Sequence, residues 1–448
     1  MNRREFLKSA GAAGAGFWVA GRQVGFGQEK SPNAKLNCAV IGAGGQGGSS
    51  INGVSKTENL VALCDVDRKR LEQAAAKFPG VRAFQDFRKM LEEMDKQIDA
   101  VCVATPDHMH AQAAAMAMRL GKHVYVEKPL THDVHEARFL RRLAAETKVA
   151  TQMGNQGTSS GGLRRGVEIV QSGALGTLKE IHIWTNRPVW PQAPDIMARP
   201  KPDPVPEFLD WDLWLGPAPE RPYSRRYCPF TWRGWWDFGT GALGDMACHT
   251  ANLPFWAARL TAPTAIEAEA GDVNPETYPS WARIRYEFPA YDDRPAITVW
   301  WYEGKKVNPE TGKRDQKVLP PLELFQGEKP SDSGCLIVGT KGTLYSPGDY
   351  GGERRLLPAK DFEGFQPPPR TIPDSPGHHA EWLRACKGGP KASSNFDYAG
   401  PLTEFVLLGN VAIRAGKRIE WDAENLKVKN GPEADPWIRR ERRKGWEL

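Results

Sequence analysis

The sequence predicts an α/β chain: a doubly wound parallel sheet in its N-terminal part, followed by an α/β domain with a mainly antiparallel sheet. Three observations predict it. From Leu36 to Met153, short apolar runs alternate with helix-length segments, as strands joined by helical crossovers do. The first run, Leu36–Ile41, ends in Gly42-Ala43-Gly44-Gly45-Gln46-Gly47, and the residues beyond it can open a helix. Past about Asn155 several apolar runs alternate residue by residue, as in a sheet with one covered face.

The glycine run has a chemical reading. Gly42 allows a tight turn, Gly44 lets a pyrophosphate approach the backbone, and Gly47 lets helix and strand pack closely, with Gly45 and Gln46 completing the cradle. The helix N-terminus then offers free N–H groups and a partial positive charge to the phosphates. A second run, Leu60–Cys64, ends in Asp65, 18 residues after Gly47. An acid there suits the two ribose hydroxyls of NAD and repels the 2′-phosphate of NADP. Arg68 lies near enough to receive that phosphate, so NAD is the expected cofactor and NADP the alternative.

The remaining elements follow in order. Arg68–Lys77 reads as a helix ending before Pro79-Gly80, and Asp86–Met94 as another. Ile98–Ala104 is a buried strand that ends at Thr105-Pro106; Asp107–Leu120 is a helix stopped by Gly121. His123–Val126 is the next strand and ends at Glu127-Lys128-Pro129. Asp133–Thr147 is a helix and Val149–Met153 a strand. Six strands with interleaved helices make a complete dinucleotide-binding (Rossmann) domain. Gly161–Ser172 then reads as helix and Leu178–Asn186 as strand. Arg187–Thr231, rich in Pro and Trp, has little periodicity and is long for a loop, so a functional or interface role is expected. Asp245–Leu260 reads as a helix; strands are expected at Thr264–Glu269, Trp281–Phe288, Ala296–Tyr302, Cys335–Val338 and Thr343–Tyr345. Helices return at Glu381–Cys386 and Leu402–Ala415, and Pro436–Leu448 is a charged tail.

Composition sets the bounds. At 448 residues, 40% hydrophobic and 25% charged, the chain suits two globular domains. The net charge of +6 includes a basic leader and falls to about +3 without it, which is no nucleic-acid footprint. Seven cysteines include no C-x-x-C pair, and Cys38, Cys64 and Cys102 lie in apolar runs, so buried thiols rather than a disulfide framework are expected. The leader itself, Arg3-Arg4-Glu5-Phe6-Leu7-Lys8 followed by the Ala/Gly-rich Ser9–Gly21, resembles a twin-arginine export signal, too short to span a bilayer comfortably. The expected organisation is signal and linker 1–34, dinucleotide-binding domain 35–155, substrate and oligomerisation domain 156–425, and tail 426–448. A periplasmic or extracytoplasmic location follows, membrane-associated if the signal stays uncleaved.

Two constellations carry chemistry. Glu127-Lys128-Pro129 stands at the carboxyl end of a parallel strand, the edge where such sheets bind ligands. There Lys128 can reach a substrate hydroxyl beside the nicotinamide. Asp245 and His249 are four apart on one helix and share a face. Asp245 can orient the imidazole or serve as an N-cap, and His249 can take a proton at neutral pH. No third metal ligand stands nearby, so no metal is expected. In Trp232-Arg233-Gly234-Trp235-Trp236-Asp237-Phe238, Arg233, Trp235 and Trp236 are candidate substrate contacts, with a buried aromatic core as the other reading. Asn155 and Gln156, just past a strand, are candidates for nicotinamide or substrate, or for a turn.

Together these motifs resemble the Gfo/Idh/MocA family, that of glucose–fructose oxidoreductase and inositol 2-dehydrogenase. Gly42–Gly47, Ala104-Thr105-Pro106-Asp107-His108-Met109-His110, Glu127-Lys128-Pro129 and the Asp245/His249 pair fall in that family's order. The resemblance implies an open, mainly antiparallel sheet in the second domain and hydride transfer between a sugar, sugar derivative or cyclitol and a nicotinamide. By position it implies Lys128 and His249 at the substrate hydroxyl with Asp245 assisting, and Thr105, Pro106, His108, Glu127 and Lys128 along the cofactor. His110 either joins these residues or only packs its helix. It also implies a homo-oligomer paired through the open sheet. Export adds that the dinucleotide should be tightly bound and regenerated on the enzyme. A glycoside hydrolase or lyase working by transient oxidation is the alternative chemistry.

Overall fold

The structure, a computed structural model, describes residues 34–448; the twin-arginine-like leader lies outside them. The first domain begins with β1 (Asn37–Ile41), α1 (Gly47–Ser55), β2 (Asn59–Cys64) and α2 (Arg68–Ala75). It continues with β3 (Arg82–Phe84), α3 (Phe87–Glu93), β4 (Ala100–Val103), α4 (His110–Arg119), β5 (His123–Glu127), α5 (Val134–Thr147) and β6 (Thr151–Gly154). The strands run parallel in the order β3-β2-β1-β4-β5-β6. The chain order therefore reverses between β1 and β4, and a crevice opens at that point beyond the strands' carboxyl ends. The run that sequence reading leaves unassigned is β3. Its three residues are exposed or half-buried, so it carries too little apolar signal to stand out.

The second domain opens with α6 (Gly161–Gln171), β7 (Leu178–Thr185) and the short α7 (Trp211–Leu215) inside the Pro/Trp-rich segment. Next come α8 (Gly241–Thr250), α9 (Asn252–Ala257), β8 (Ala265–Gly271), β9 (Trp281–Phe288) and β10 (Ile297–Lys306). Then β11 (Gln316–Lys317), β12 (Gly334–Gly339), β13 (Thr343–Pro347) and β14 (Arg355–Leu357) precede α10 (His378–Cys386) and α11 (Phe396–Ala415). β15 (Ile419–Asp422), β16 (Lys427–Val428) and α12 (Asp435–Ile438) close the chain. The sheet order is β14-β13-β12-β7-β10-β9-β8-β15-β16, with β11 paired to β10. Only β7 and β10 pair in parallel, so the sheet is mixed and mostly antiparallel. Among the described residues no helix is long and apolar enough to cross a membrane.

Three boundaries differ from the sequence reading. The expected helix Asp245–Leu260 is two helices, and the first begins at Gly241 with Thr240 as its N-cap residue. Asp245 is therefore interior and not a cap. The helix expected from Leu402 starts at Phe396: Asn395 accepts from Asp397 N–H at its N-terminus, and Pro401 is carried inside.

One buried acid sets a pH dependence. Glu303 on β10 is 1% exposed, its carboxyl accepts from Trp301 Nε1 at 2.7 Å, and among the described residues it forms no ion pair. Burial pushes it up to about 8 from 4.5. Between those values the folded chain binds the extra proton, so stability falls as pH rises through that window. Glu303→Gln should therefore melt later than wild type at pH 8.5, by roughly 2–4 kcal/mol at most, and nearly together with it at pH 5. Equal shifts at both values would refute the buried-acid account.

Candidate active site

A cavity of about 760 Å³ runs from the glycine turn of the first domain to α8 of the second. The turn after β1 is built for close approach. Gly42 has φ +91°, and a Cβ there would stand 2.5 Å from Ala104 O; a Cβ on Gly47 would stand 1.8 Å from Gly42 O. Both positions need glycine sterically, and Gly47 performs the packing role read from the motif. Gly42, Gly44, Gly45 and Gln46 border the cavity, and a Cβ on Gly45 would meet nothing within 4 Å.

Asp65 borders the cavity at the end of β2. Its carboxylate accepts from Ala43 N–H at 2.8 Å and Asp67 N–H at 2.9 Å, so it also ties the glycine turn to the next loop. Burial pushes its carboxyl up, against those two donors. The cation over the cradle is Arg70: a Cβ on Gly44 would lie 2.8 Å from Arg70 Nη1. Arg68, named from sequence, is 55% exposed and faces Glu72 at 4.0 Å. The signal for Arg70 was Asp67, whose carboxylate caps α2 by accepting from Arg70 N–H and turns that residue back over the loop. A glycine cradle open to solvent space, an acid at the ribose position and a cation above the turn fit a dinucleotide.

At the other end, β5 delivers Lys128 and α8 delivers Asp245 and His249. Lys128 Nζ donates to Asp245 Oδ1 at 2.8 Å and to the Asp245 carbonyl at 2.7 Å. Arg233 Nε donates to the same Oδ1 at 3.2 Å. Burial opposes the Asp245 charge, but Lys128 and then Arg233 hold its carboxyl down at about 2. Burial likewise opposes the Lys128 charge, and Asp245 outweighs it and raises the ammonium. Two of three ammonium hydrogens are thus used, leaving one for the cavity. His249 is held down at about 3 by burial and by the Lys128 charge, so its ring is neutral. Among the described residues its Nδ1 has no hydrogen-bond partner, and Tyr350 stands edge-on at 4.8 Å. Asp245 therefore neutralises two cations rather than orienting the imidazole.

The neighbouring turns are cross-braced. Both ring nitrogens of His110 face carbonyls, Pro129 O at 2.8 Å and Thr105 O at 2.9 Å, which joins the Thr105-Pro106 turn to the Lys128 turn. Asp107, absent from the sequence candidates, accepts from Thr240 Oγ1 at 2.6 Å and so braces the start of α8. Thr105, Pro106, Glu127 and Gln156 border the cavity. Burial pushes Glu127 up to about 7 against the pull of Lys128, and Gln46 Nε2 donates to it at 3.4 Å.

Four candidates lie elsewhere. His108 is fully buried, its ring nitrogens on Phe238 O at 3.2 Å and Trp214 O at 2.8 Å. Asn155 is fully buried, accepting from Ser394 Oγ and reaching Cys248 O at 3.5 Å; it braces β6 against α8. Trp235 is in the core, donating to Arg226 O at 3.1 Å. Trp236 lies on Tyr278 with centroids 3.7 Å apart and donates to Asn274 O at 2.9 Å. The 3₁₀ turn Thr231–Gly234 and the bridge of Trp235 to Thr277 send Trp232 and Arg233 to the cavity and the next two rings inward. Asp237 is drawn away by Arg221. Among the described residues no group of three or more His, Cys, Asp or Glu is arranged for a metal.

The dinucleotide end is walled by distant segments. Arg68 N–H donates to Phe208 O at 2.8 Å and Asp210 N–H to Val66 O at 3.0 Å, which pins the Pro/Trp-rich segment to the loop after Asp65. Phe208, Leu213 and Trp214 border the cavity there, as does Trp446 of the tail. Trp446 packs on Phe87 at 6.1 Å beneath Arg88 at 4.2 Å. Arg443 Nε donates to Gly216 O at 2.7 Å, joining tail and segment.

Comparison with known proteins places this geometry. Residues 36–155 match the Gfo/Idh/MocA oxidoreductase family's NAD-binding Rossmann fold, and residues 166–310 match its C-terminal alpha/beta domain. A glycosyl hydrolase family 109 protein of Solibacter usitatus is 34% identical over 153 residues, covering 30% of this chain and 34% of that one. The chain spans about a third of the length of the curated relatives it matches. In structure it resembles the WlbA dehydrogenase of Bordetella pertussis, crystallised with NADH and UDP-GlcNAcA: TM-score 0.59, 16% identity, 87% of this chain and 99% of that one. An inositol dehydrogenase homolog of Azotobacter vinelandii, crystallised with NADH and myo-inositol, gives TM-score 0.57 and 15% identity over 88% and 100% of the two chains. Those two likenesses are of fold. The two matched domains together span more than half of the sequence, in order and on the expected sheets, and the chain belongs to the Gfo/Idh/MocA family of oxidoreductases.

Proposed function

We propose that this chain is an exported oxidoreductase that oxidises a CH–OH group of a sugar, sugar derivative or cyclitol with a tightly held NAD. The observation that carries the reading is the junction of the glycine cradle with the Lys128, Asp245 and His249 cluster in one cavity. Gly42, Gly44, Gly45, Gln46 and Asp65 would hold the dinucleotide, whose nicotinamide supplies the hydride acceptor. The neutral His249 ring takes the hydroxyl proton, and Asp245 one helical turn away favours the charge that results. The third Lys128 hydrogen meets the oxygen as negative charge grows on it, an effect of about 3–4 kcal/mol for a preorganised donor. Asp245 holds Lys128 charged and fixed for that role.

The wall formed by Phe208, Trp214 and Trp446 supports a resident cofactor, because exchange would need these segments to part. A resident cofactor suits a protein exported folded through the twin-arginine machinery, away from the free dinucleotide pool. A glycosidase cycle, in which oxidation is transient and the cofactor returns to its starting state, is favoured by the glycosyl hydrolase family 109 relative. The homo-oligomer paired through the open sheet belongs to the same reading.

The test is to purify the chain from periplasm without added cofactor, denature it and identify released dinucleotide by mass spectrometry. Near one NAD per chain is expected, and Arg3→Lys/Arg4→Lys should leave the protein in the cytoplasm. An empty protein with weak NAD affinity would overturn the resident cofactor. Release of an aglycone without net NADH would select the glycosidase cycle.

A further inference from the structure

Three cations border the cavity at its catalytic end: Lys128, Arg187 and Arg233. Lys128 and Arg233 share one oxygen, Asp245 Oδ1, at 2.8 and 3.2 Å. Arg187 has an amide partner instead, donating to Asn186 Oδ1. Among the described residues no carboxylate forms an ion pair with it; the Asp332 carboxylate that senses its charge is held by Lys317 at 2.7 Å.

Arg187 stands at this end because of its neighbours. It follows β7, where Thr185 Oγ1 meets Ser333 Oγ at 3.2 Å. Ser333 O accepts from Gly348 N–H at 2.7 Å, which fixes the loop carrying Asp349 and Tyr350, the ring beside His249. On its other side, Trp190 packs on Phe230 at 6.3 Å, and Phe230 lies under Arg233 at 4.8 Å.

Among the described residues, Glu127, Asp245 and Asp349 are the carboxylates bordering the catalytic end besides the buried Asp107, and Glu127 accepts from Gln46 at 3.4 Å. Asp245 already serves two cations, and Thr240 occupies Asp107. Oxidised nicotinamide adds one more positive charge when bound. A neutral polyol leaves Arg187 with its amide partner alone, whereas a carboxylate offers it a planar bidentate partner.

Resting on the oxidoreductase reading above, we propose that the substrate is a sugar acid whose carboxylate docks on Arg187 while its reacting hydroxyl faces Lys128 and His249. The substrate C–H bond breaks with its electron pair going to NAD⁺, the hydroxyl proton goes to His249, and the product is the corresponding keto acid.

The experiment uses the NAD-loaded full chain with D-glucuronate, D-galacturonate and D-gluconate against D-glucose, D-galactose and myo-inositol. Calorimetric Kd and the single-turnover reduction of bound NAD, whose half-saturating concentration and limiting rate stand as KM and kcat, are read at 50 and 500 mM salt. The expected result is acids at least 10-fold tighter in Kd and KM, with the advantage shrinking at high salt. Arg187→Gln should bring the acid-to-neutral ratio near one by raising KM for acids more than it changes kcat, while Arg187→Lys keeps part of it. Unfolding curves confirm that both variants fold. Neutral sugars bound as well as acids, no binding by any acid, or a ratio unmoved by Arg187→Gln would overturn the proposal. Dinucleotide released from the same sample separates that failure from failure of the oxidoreductase reading, which would appear as a protein that holds no NAD.

Discussion

Lys128→Ala is expected to lower kcat by about two to three orders of magnitude while weakening dinucleotide retention far less. In the proposed reaction the ammonium meets the oxygen that gains charge, and it is fixed by donating to Asp245 at 2.7 and 2.8 Å. A donor already in place needs no reorganisation as the charge develops, so its loss falls on turnover. The cradle and Asp65, which would hold the cofactor, lie at the far end of the cavity and are untouched. Asp245 retains Arg233 at 3.2 Å, so the variant should fold with a stability loss of roughly 1–3 kcal/mol. The check is the limiting single-turnover rate with any sugar, sugar acid or cyclitol that reduces the bound NAD, beside dinucleotide content and a thermal melt. Near-normal turnover would remove Lys128 from the chemistry.

The largest stability effect is expected at the tail. Arg440 Nη2 lies 3.2 Å from Glu136, and Arg442 Nη2 lies 3.0 Å from Glu136 and 3.2 Å from Asp133. The two acids are 0% and 4% exposed in their side chains. They also cap α5 as Asp133 and Glu136 of a capping box. Burial opposes both charges; the two arginines hold Glu136 below its usual range, and burial with the Glu136 charge pushes Asp133 up. Removing both arginines strands a buried carboxylate, a loss of roughly 3–5 kcal/mol. A depressed Glu136 contributes stability above its unfolded value and loses it as pH falls toward its folded value. The deficit of Arg440→Ala/Arg442→Ala should therefore be widest near pH 7 and narrow below pH 4.5. The same variant frees Trp446 from Phe87, so less NAD should remain bound after purification. Urea melts at both pH values and dinucleotide content check this. Superimposable melts would mean that the tail is held by its apolar contacts alone.

The parts of the site that were legible in the sequence are those set by short covalent spacing. Gly42 to Gly47 must form the cradle because a Cβ at either end would enter backbone. Lys128 must stand at the sheet's carboxyl edge because β5 ends one residue earlier. Asp245 and His249 must share a helical face. Asp107, Arg187 and Trp446 were not legible, since each acquires its place from a segment far off in the chain; Arg70 had a local signal in Asp67, three residues earlier. The run Trp232–Phe238 shows why. Its composition invites stacking on a sugar, yet Tyr278 and the Trp235 bridge to Thr277 decide which rings turn inward.

Sequence by itself determined the two sheets, the glycine turn after β1 and the positions of Lys128, Asp245 and His249 at the sheet edge and on one helix. Tertiary structure decided how their charges pair. Among the described residues Asp245 makes its side-chain bonds with Lys128, 117 positions distant in the chain, and with Arg233, and none with the imidazole four residues away. The reason is physical: burial strips the charge from His249, whereas a buried carboxylate must find a cation that remains charged.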